Sequence, residues 1–433
     1  MERDKPAHAE PVEARTNGEQ DGRDKMDFND APQEAEFRAI VRAWLNENAT
    51  EYRDPPPEGM KLPEFIARSK AWQAKKHAAG YTGITWPKMF GGQGLTPMHS
   101  IIYGQEESRW HVPQGLYSIG LGMCIPTVFT HGNPEVVQRY VPKALLGEEV
   151  WCQLFSEPAA GSDLAGIRTK AVKDGDEWVI DGQKVWTSFA HASDFGIVVC
   201  RTDPNMPKHK GLTMFIVNMK APGVTVKGIK QMSGGSDFNE VFFDGVRVND
   251  SHRLGAVGDG WKVALTTLMH ERLAVGGKPR YAPGYETLMK LAKGVEAPDG
   301  SPAIGASDVR QKIAQTYIND QGIKLTQMRA LSALSKGQVP GPEQSISKVV
   351  VAKTMQDLAS FALDLSGGDG FVAGADADPE LAKLQGSYIG SAGLRIAGGT
   401  DEILRNIIAE RVLGLPGDMR PDKDTPFNQS VPA

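Results

Sequence analysis

Cysteine is scarce in this chain: three occur among 433 residues, Cys124, Cys152 and Cys200, and none sits in a Cys-x-x-Cys pair. An odd, sparse set provides neither a disulfide framework nor a metal-binding spacing and fits a reducing compartment, so no metal is expected. The plainer reading is three small core residues. No apolar run approaches the ~18 residues a spanning helix needs, so no membrane association is expected. Positive charge is not in excess either. Lys and Arg number 48 against 53 Asp and Glu, a formal net charge of −5. Without a Lys/Arg run, the chain lacks the field that draws in nucleic acid. A Gly-x-Gly-x-x-Gly after a strand is also missing, which leaves a Rossmann nicotinamide site unsupported. Residues 1–25 are charged and hold no apolar segment. That excludes a secretory signal, and their acidic residues argue against a transit peptide. They read as a disordered tail, and the cytoplasm follows by default.

What is present is an ordinary globular mixture, 40% hydrophobic and 23% charged, long enough for two or three domains. Asp30 reads as an N-cap, with Pro32 in the first turn and Gln33 at the capping-box position. Behind it Phe37, Ile40, Val41, Trp44 and Leu45 fall at helical spacing. This opens a mostly helical region, 26–150, interrupted by loops at Trp86-Pro87 and Gly91-Gly92-Gln93-Gly94. From 151 to 257 the texture turns to strands. Residues 196–200 and 214–217 read as buried strands. Asp181-Gly182 and Asp244-Gly245, each flanked by apolar residues, read as two hairpin turns. A β-barrel or sandwich is implied. From 258 to 416 helices return, with apolar period in 261–275, 309–335, 345–365 and 401–413, suggesting a bundle. Residues 417–433 form a closing tail.

Two short stretches stand out chemically. After Cys152-Gln153-Leu154-Phe155-Ser156-Glu157-Pro158, a loop of small residues (Ala159 to Asp163) can bring backbone N–H groups close to an anion or a ring edge. Farther on, Lys184-Val185-Trp186-Thr187-Ser188 sets a flat indole beside two hydroxyls, able to pack on a planar cofactor and hydrogen-bond to it. Either stretch alone is more often an ordinary turn or a core tryptophan; together they carry weight.

SEPAAGSD (156–163), DGQKVWTS (181–188), GDGWKVALTTLMHER (258–272) and GGTDEILRNIIAERVLGLP (398–416), in this order, resemble the acyl-CoA dehydrogenase family over roughly residues 26–416. There is also a likeness to large subunits of the pimeloyl-CoA dehydrogenase kind. The resemblance implies an α+β multidomain fold: an N-terminal helical domain, a middle β-barrel-like domain and a C-terminal four-helix bundle. It implies FAD as cofactor, with Phe155, Ser156 and Ser188 at the flavin ring, Trp186 packed on it and Thr187 also binding the cofactor. Ser162 is expected near the FAD pyrophosphate and the CoA chain, and Gly399, Thr400, Asp401 and Glu402 would also touch FAD. The implied reaction is α,β-dehydrogenation of an acyl-CoA thioester, as in β-oxidation of fatty acids, with electrons passed to an electron-transfer flavoprotein.

Such a reaction needs a base for the α-proton. A glutamate starts at a pKa of ~4.3, and burial beside an acyl chain can raise it by two or three units, worth ~3–4 kcal/mol. Most family members carry that Glu immediately before the last Gly-Thr, where this chain has Gly398. Glu271 instead matches the position used by the isovaleryl and long-chain branches. By the same likeness the Gly398 N–H polarises the thioester carbonyl, Arg272 steadies the CoA portion, and His270 is structural or solvent-facing.

Two features depart from the family pattern. The Arg-x-x-Phe-Gly stretch that reaches a neighbouring subunit's FAD is replaced by a Pro/Gly/acid loop, Gly294 to Pro302, and Asp364 stands where a glutamine is expected. Either the adenine half of FAD is held differently in a homo-oligomer (dimer or tetramer), the first expectation, or a second, different chain completes it in a heteromer. An acyl-CoA oxidase on the same fold and a non-catalytic subunit are the rival functions.

Overall fold

The computed structural model describes residues 30–56, 60–275, 282–335 and 341–430; the side chains of 271–275, 331, 334, 335 and 375 lie outside that description. The expected tail at 1–25 also falls outside it.

The N-terminal part comprises helices α1 (Pro32–Asn48), α2 (Leu62–Ala78), α3 (Pro97–Glu107), α4 (Ile125–His131) and α5 (Pro134–Leu146). Val41 and Leu45 bury the apolar stripe of α1, packing with Tyr52, Trp72 and Tyr103; Ile40, read as part of that stripe, is exposed. The start of α1 differs from the expectation. The N-cap is Ala31, and Glu34 rather than Gln33 accepts its N–H, at 2.8 Å. Asp30 is drawn away by a bidentate pair with the Arg38 guanidinium, at 2.5 and 2.8 Å, a charge-assisted interaction stronger than a neutral cap. Helix α5 obeys the usual signals: Asn133 accepts from Val136 N–H, and Gly147 ends it with φ +79°.

The middle part is an eight-stranded sheet: β1 (Trp151–Leu154), β2 (Lys170–Asp174), β3 (Glu177–Ser188), β4 (Phe195–Arg201), β5 (Leu212–Asn218), β6 (Val224–Gly228), β7 (Phe238–Asn249) and β8 (Arg253–Leu254). The order is β6-β7-β3-β2-β4-β5-β8, with β1 parallel beside β4. The buried strands read at 196–200 and 214–217 are β4 and β5, antiparallel and apolar on both faces. The two hairpins are not formed. Asp181-Gly182 and Asp244-Gly245 lie inside β3 and β7, opposite one another, where the register slips between the Ile180–Val246 and Gly182–Phe243 pairs. Asp181 Oδ1 accepts from Gly245 N–H at 2.8 Å, and both glycines have positive φ. The pairing of two long strands overrides the local turn signal and turns it into a matched bulge that bends the sheet. One face of the sheet encloses Trp178, Ile180, Phe215, Val241 and Val246; the other packs Trp151, Ile197 and Met214 against α4, α5 and the next helix.

That helix is α6 (Gly260–Val275), followed by α7 (Tyr285–Gly294), α8 (Ser307–Ser335), α9 (Gln344–Leu365), α10 (Pro379–Leu394) and α11 (Asp401–Ile407). Helices α8, α9 and α10 form three members of a bundle; α6 and α7 together supply the fourth side, each touching α9. Helix α6 links the layers. It packs on β5 and on α4, where Thr267 and Thr127 share a buried hydrogen bond of 2.9 Å.

Candidate active site

Strand β1 ends at Leu154, and the next three residues turn alongside β3. A buried ion pair holds them there. Lys184 is fully buried, and its Nζ donates to Glu157 Oε1 at 2.8 Å and to the Phe155 carbonyl at 3.0 Å. Glu157 also accepts the N–H groups of Arg168 and Thr169, at 2.6 and 2.9 Å. Burial acts to raise the Glu157 pKa, but the Lys184 ammonium and these donors outweigh it and hold the carboxyl below its ordinary range. Val185 N–H donates to the Ser156 carbonyl at 2.8 Å, so Phe155-Ser156 and 184–188 are neighbours at the C-terminal end of β3.

Past Lys184 the strand is irregular. Trp186 has φ +59°, a conformation that costs an L-residue on the order of 1–3 kcal/mol, and is 58% exposed, its ring edge-on to Phe238 with centroids 6.1 Å apart. Thr187 turns inward and is buried. Its carbonyl accepts from Asn239 Nδ2 at 2.9 Å, and Asn239 is itself bonded to His191. Thr187 Oγ1 has no hydrogen-bond partner among the described residues. An unpaired buried hydroxyl costs roughly 1–3 kcal/mol unless a ligand supplies the missing partner. Ser188 closes β3, half-buried, paired with Phe238.

Ser162 is exposed on the loop beyond Glu157, next to Asp163, whose carboxylate meets Lys208 Nζ at 3.0 Å. Phe155 and Ser156 thus lie beside the strand segment that carries Trp186, Thr187 and Ser188, and Ser162 is on the loop that follows. The remaining expected residues sit elsewhere. Gly398 and Gly399, with φ +65° and +88°, lead into α11, which packs on α9. Thr400 caps α11 by accepting from Ile403 N–H at 3.2 Å. Asp401 is buried on Arg395 (2.8 Å), and Glu402 is exposed. Thr400, Asp401 and Glu402 share a cleft of about 280 Å³ with Gln356, Arg395 and Ile396. Glu271 and Arg272 fall on α6, four and five residues beyond Thr267, but their side chains lie outside the described residues. The neighbouring His270 is half-buried, and burial lowers its pKa, favouring the neutral ring.

The sequence does carry a signal for Lys184, which no expectation above gives a role. It occupies the inward register of Trp178 and Ile180 along β3, where a lysine demands a buried partner. Glu157 lies inside the quoted SEPAAGSD motif without a role assigned. The Gly294 to Pro302 loop is ordered by Ala297 N–H to Ser301 O at 2.7 Å and by Asp299 accepting from Ser301, and Asp364 is exposed at the end of α9.

A helical layer, an eight-stranded sheet and a second helical bundle, with an exposed tryptophan and an unpaired hydroxyl near the end of β3, make up the architecture of an acyl-CoA dehydrogenase. Family models match in sequence order: the acyl-CoA dehydrogenase N-terminal domain over 31–148, the middle domain over 152–246 and the C-terminal domain over 258–413. The chain is 37% identical over 393 residues to acyl-CoA dehydrogenase IpdE1 of Mycobacterium tuberculosis, covering 89% of this chain and 98% of that protein. Among solved structures it is similar to the Tcur3481-Tcur3483 steroid ACAD (TM-score 0.75, 29% identity, 91% of this chain and 100% of that one). It is also similar to a chain of the ChsE4-ChsE5 complex from Mycobacterium tuberculosis (TM-score 0.74, 26% identity, 91% and 100%). The chain belongs to the acyl-CoA dehydrogenase family and is an enzyme of that family. No helix among the described residues is long and apolar enough to cross a membrane.

Proposed function

We propose that this enzyme is an FAD-dependent acyl-CoA dehydrogenase that converts an acyl-CoA to the trans-2-enoyl-CoA in the cytoplasm and passes electrons to an electron-transfer flavoprotein. The observation that carries the reading is the strained, exposed Trp186 beside the unpaired Thr187 hydroxyl, both anchored by the buried Lys184–Glu157 pair. A planar ring system with hydrogen-bonding edges satisfies both residues, and an outlying backbone maintained by a buried ion pair is a common sign of a functional site. The residues therefore fit FAD.

In this reading Trp186 packs on the isoalloxazine, and Phe155, Ser156, Thr187 and Ser188 line it. Ser162 lies toward the pyrophosphate, and Gly399, Thr400 and Glu402 contribute from the bundle. When bound, FAD supplies the hydride acceptor. Glu271 takes the α-proton, its pKa raised towards neutrality by the apolar acyl chain. The Gly398 N–H donates to the thioester carbonyl as negative charge develops; a placed donor of this kind is worth ~3 kcal/mol. Glycine at 398 keeps that N–H. Arg272 and Ser162 hold the CoA portion.

The test is anaerobic titration of the purified yellow protein with linear, branched, dicarboxylyl and sterol side-chain acyl-CoAs. Loss of flavin absorbance with one of them supports the reading; a colourless protein indifferent to all of them sinks it. Oxygen-dependent peroxide release would mark an oxidase.

The enzyme works as an oligomer in this reading. Exposed apolar residues on the bundle, Ile318, Leu325, Tyr388 and Ile396, favour assembly. A homo-oligomer is the first form; a two-chain assembly is the second, favoured by the paired names of both similar structures and by the Gly294 to Pro302 loop. The mass of the assembly purified with and without co-expressed relatives separates the two.

A further inference from the structure

Residues 417–430 follow the last helical turn, at 408–412, and return to the middle sheet. There they meet the loop between β4 and β5. Phe427 N–H donates to Met206 O and Asn428 N–H to Pro204 O, both at 3.0 Å, and Asn428 Nδ2 donates to Asn205 Oδ1 at 2.9 Å. Two side-chain contacts carry this docking further, onto the turn behind Ser162. The Phe427 ring lies 3.9 Å from Arg201 Cζ. Arg201 is buried, and its guanidinium donates to Ala165 O (2.5 Å), Ile167 O (3.4 Å) and Lys208 O (2.7 Å). The ring therefore covers the cation that holds residues 165–167. Lys208 Nζ stands 3.0 Å from Asp163 and 3.3 Å from Asp422, bridging the loop residue next to Ser162 to the C-terminal segment.

We propose that residues 417–430 form a strap that keeps the 162–167 turn in its pyrophosphate-binding shape, with Lys208 and Phe427 as its positioning residues. The inference rests on the placement of Ser162 at the FAD pyrophosphate given under Proposed function. The flavin-ring residues are held by a different device, the Lys184–Glu157 pair. The strap's own contacts lie at the phosphate end of the cofactor, so its effect falls chiefly there.

The experiment strips flavin from the full-length enzyme and titrates it with FAD and, separately, with FMN, which lacks the pyrophosphate link. Lys208→Met and Phe427→Ala each weaken FAD binding by about threefold to tenfold, the scale of a partly desolvated ion pair or cation–π contact. FMN binding and the position of the bound-flavin absorption bands stay as in the parent. Lys208→Arg restores most of the FAD affinity, and deletion of 417–433 produces the largest loss. Unchanged FAD affinity in both point variants overturns the strap; so does equal weakening for FAD and FMN, which would mean general loosening of the fold. If the deletion variant does not fold, the point variants decide. A full-length parent that takes up no FAD removes the functional reading, and the strap with it; the strap alone fails when the parent binds FAD and the variants match it.

Discussion

Lys184→Met is the sharpest perturbation of the site's scaffold. Methionine is unbranched and fills much of the lysine's volume, so the packing change is small and the loss is mainly that of a charge. Lys184 is fully buried and Glu157 nearly so, 2.8 Å apart. Removing one member leaves an uncompensated buried charge, which costs about 3–5 kcal/mol. Glu157 retains two backbone donors after the change, so Lys184→Met belongs at the lower end, ~3 kcal/mol. Glu157→Gln leaves a buried ammonium with no carboxylate, only neutral oxygens as acceptors, and belongs at the upper end, ~4–5 kcal/mol. In the double variant no buried charge remains. A glutamine oxygen can still accept from one of Arg168 and Thr169, which donate to different oxygens of Glu157, and the combined cost falls to roughly 2 kcal/mol. The three variants form a double-mutant cycle, read by urea unfolding followed through tryptophan fluorescence. The double variant is expected to be more stable than either single one. Single variants costing under about 1 kcal/mol, or costs that add to within ~0.5 kcal/mol, would refute the account of a buried pair clamping the two site segments.

Other outcomes follow from the same structure. Thr187→Ala removes an unpaired buried hydroxyl, so the flavin-free protein should be no less stable, while the bound-flavin absorption bands shift and FAD binding weakens about tenfold; unaltered bands would separate Thr187 from the flavin. The strap variants make the complementary prediction, weakened FAD binding with bands in place. Asp250 is held at about 2, against 3.8 ordinarily, chiefly by Arg253 and then by the Trp178 N–H. Its folded value is depressed, so its stabilising contribution is full above pH ~4 and disappears as pH falls through about 2. Asp250→Asn should flatten the acid limb of stability against pH by ~1–2 kcal/mol between pH 4 and 2, allowing for partial exposure. An acid limb identical to the parent's would contradict the assignment.

Much of the architecture was legible because the strongest signals are periodic. The apolar runs of β4 and β5 and the period of α6, α8 and α9 survive into the fold with nearly the expected bounds. The misses have local causes. Asp181-Gly182 and Asp244-Gly245 carry the composition of hairpin turns, but each is one half of a bulge whose other half lies more than 60 residues away. Local turn chemistry cannot distinguish the two until β3 and β7 are paired. Asp30 reads as a cap because nothing nearby reveals that Arg38 will claim its carboxylate. Helix α10 escapes the apolar period because Gly386, Gly390 and Gly393 dilute it. At the candidate site, 155–163 suggests a loop for an anion or a ring edge and 184–188 a stretch for a planar cofactor, and the structure sets 155–156 beside 184–188. What the sequence concealed was the inward lysine that joins the two stretches, and the way 417–430 lies along the β4–β5 loop.

In the proposed function Glu271, rather than a residue at position 398, removes the α-proton. The direct measurement is anaerobic reduction of bound flavin by a reactive acyl-CoA, compared between the parent and Glu271→Gln. The variant should bind flavin with the parent's spectrum and stoichiometry, yet bleach at least a thousandfold more slowly, on the order expected for loss of a positioned general base. Bleaching at the parent's rate in the yellow variant would contradict the claim and move the base elsewhere in the chain.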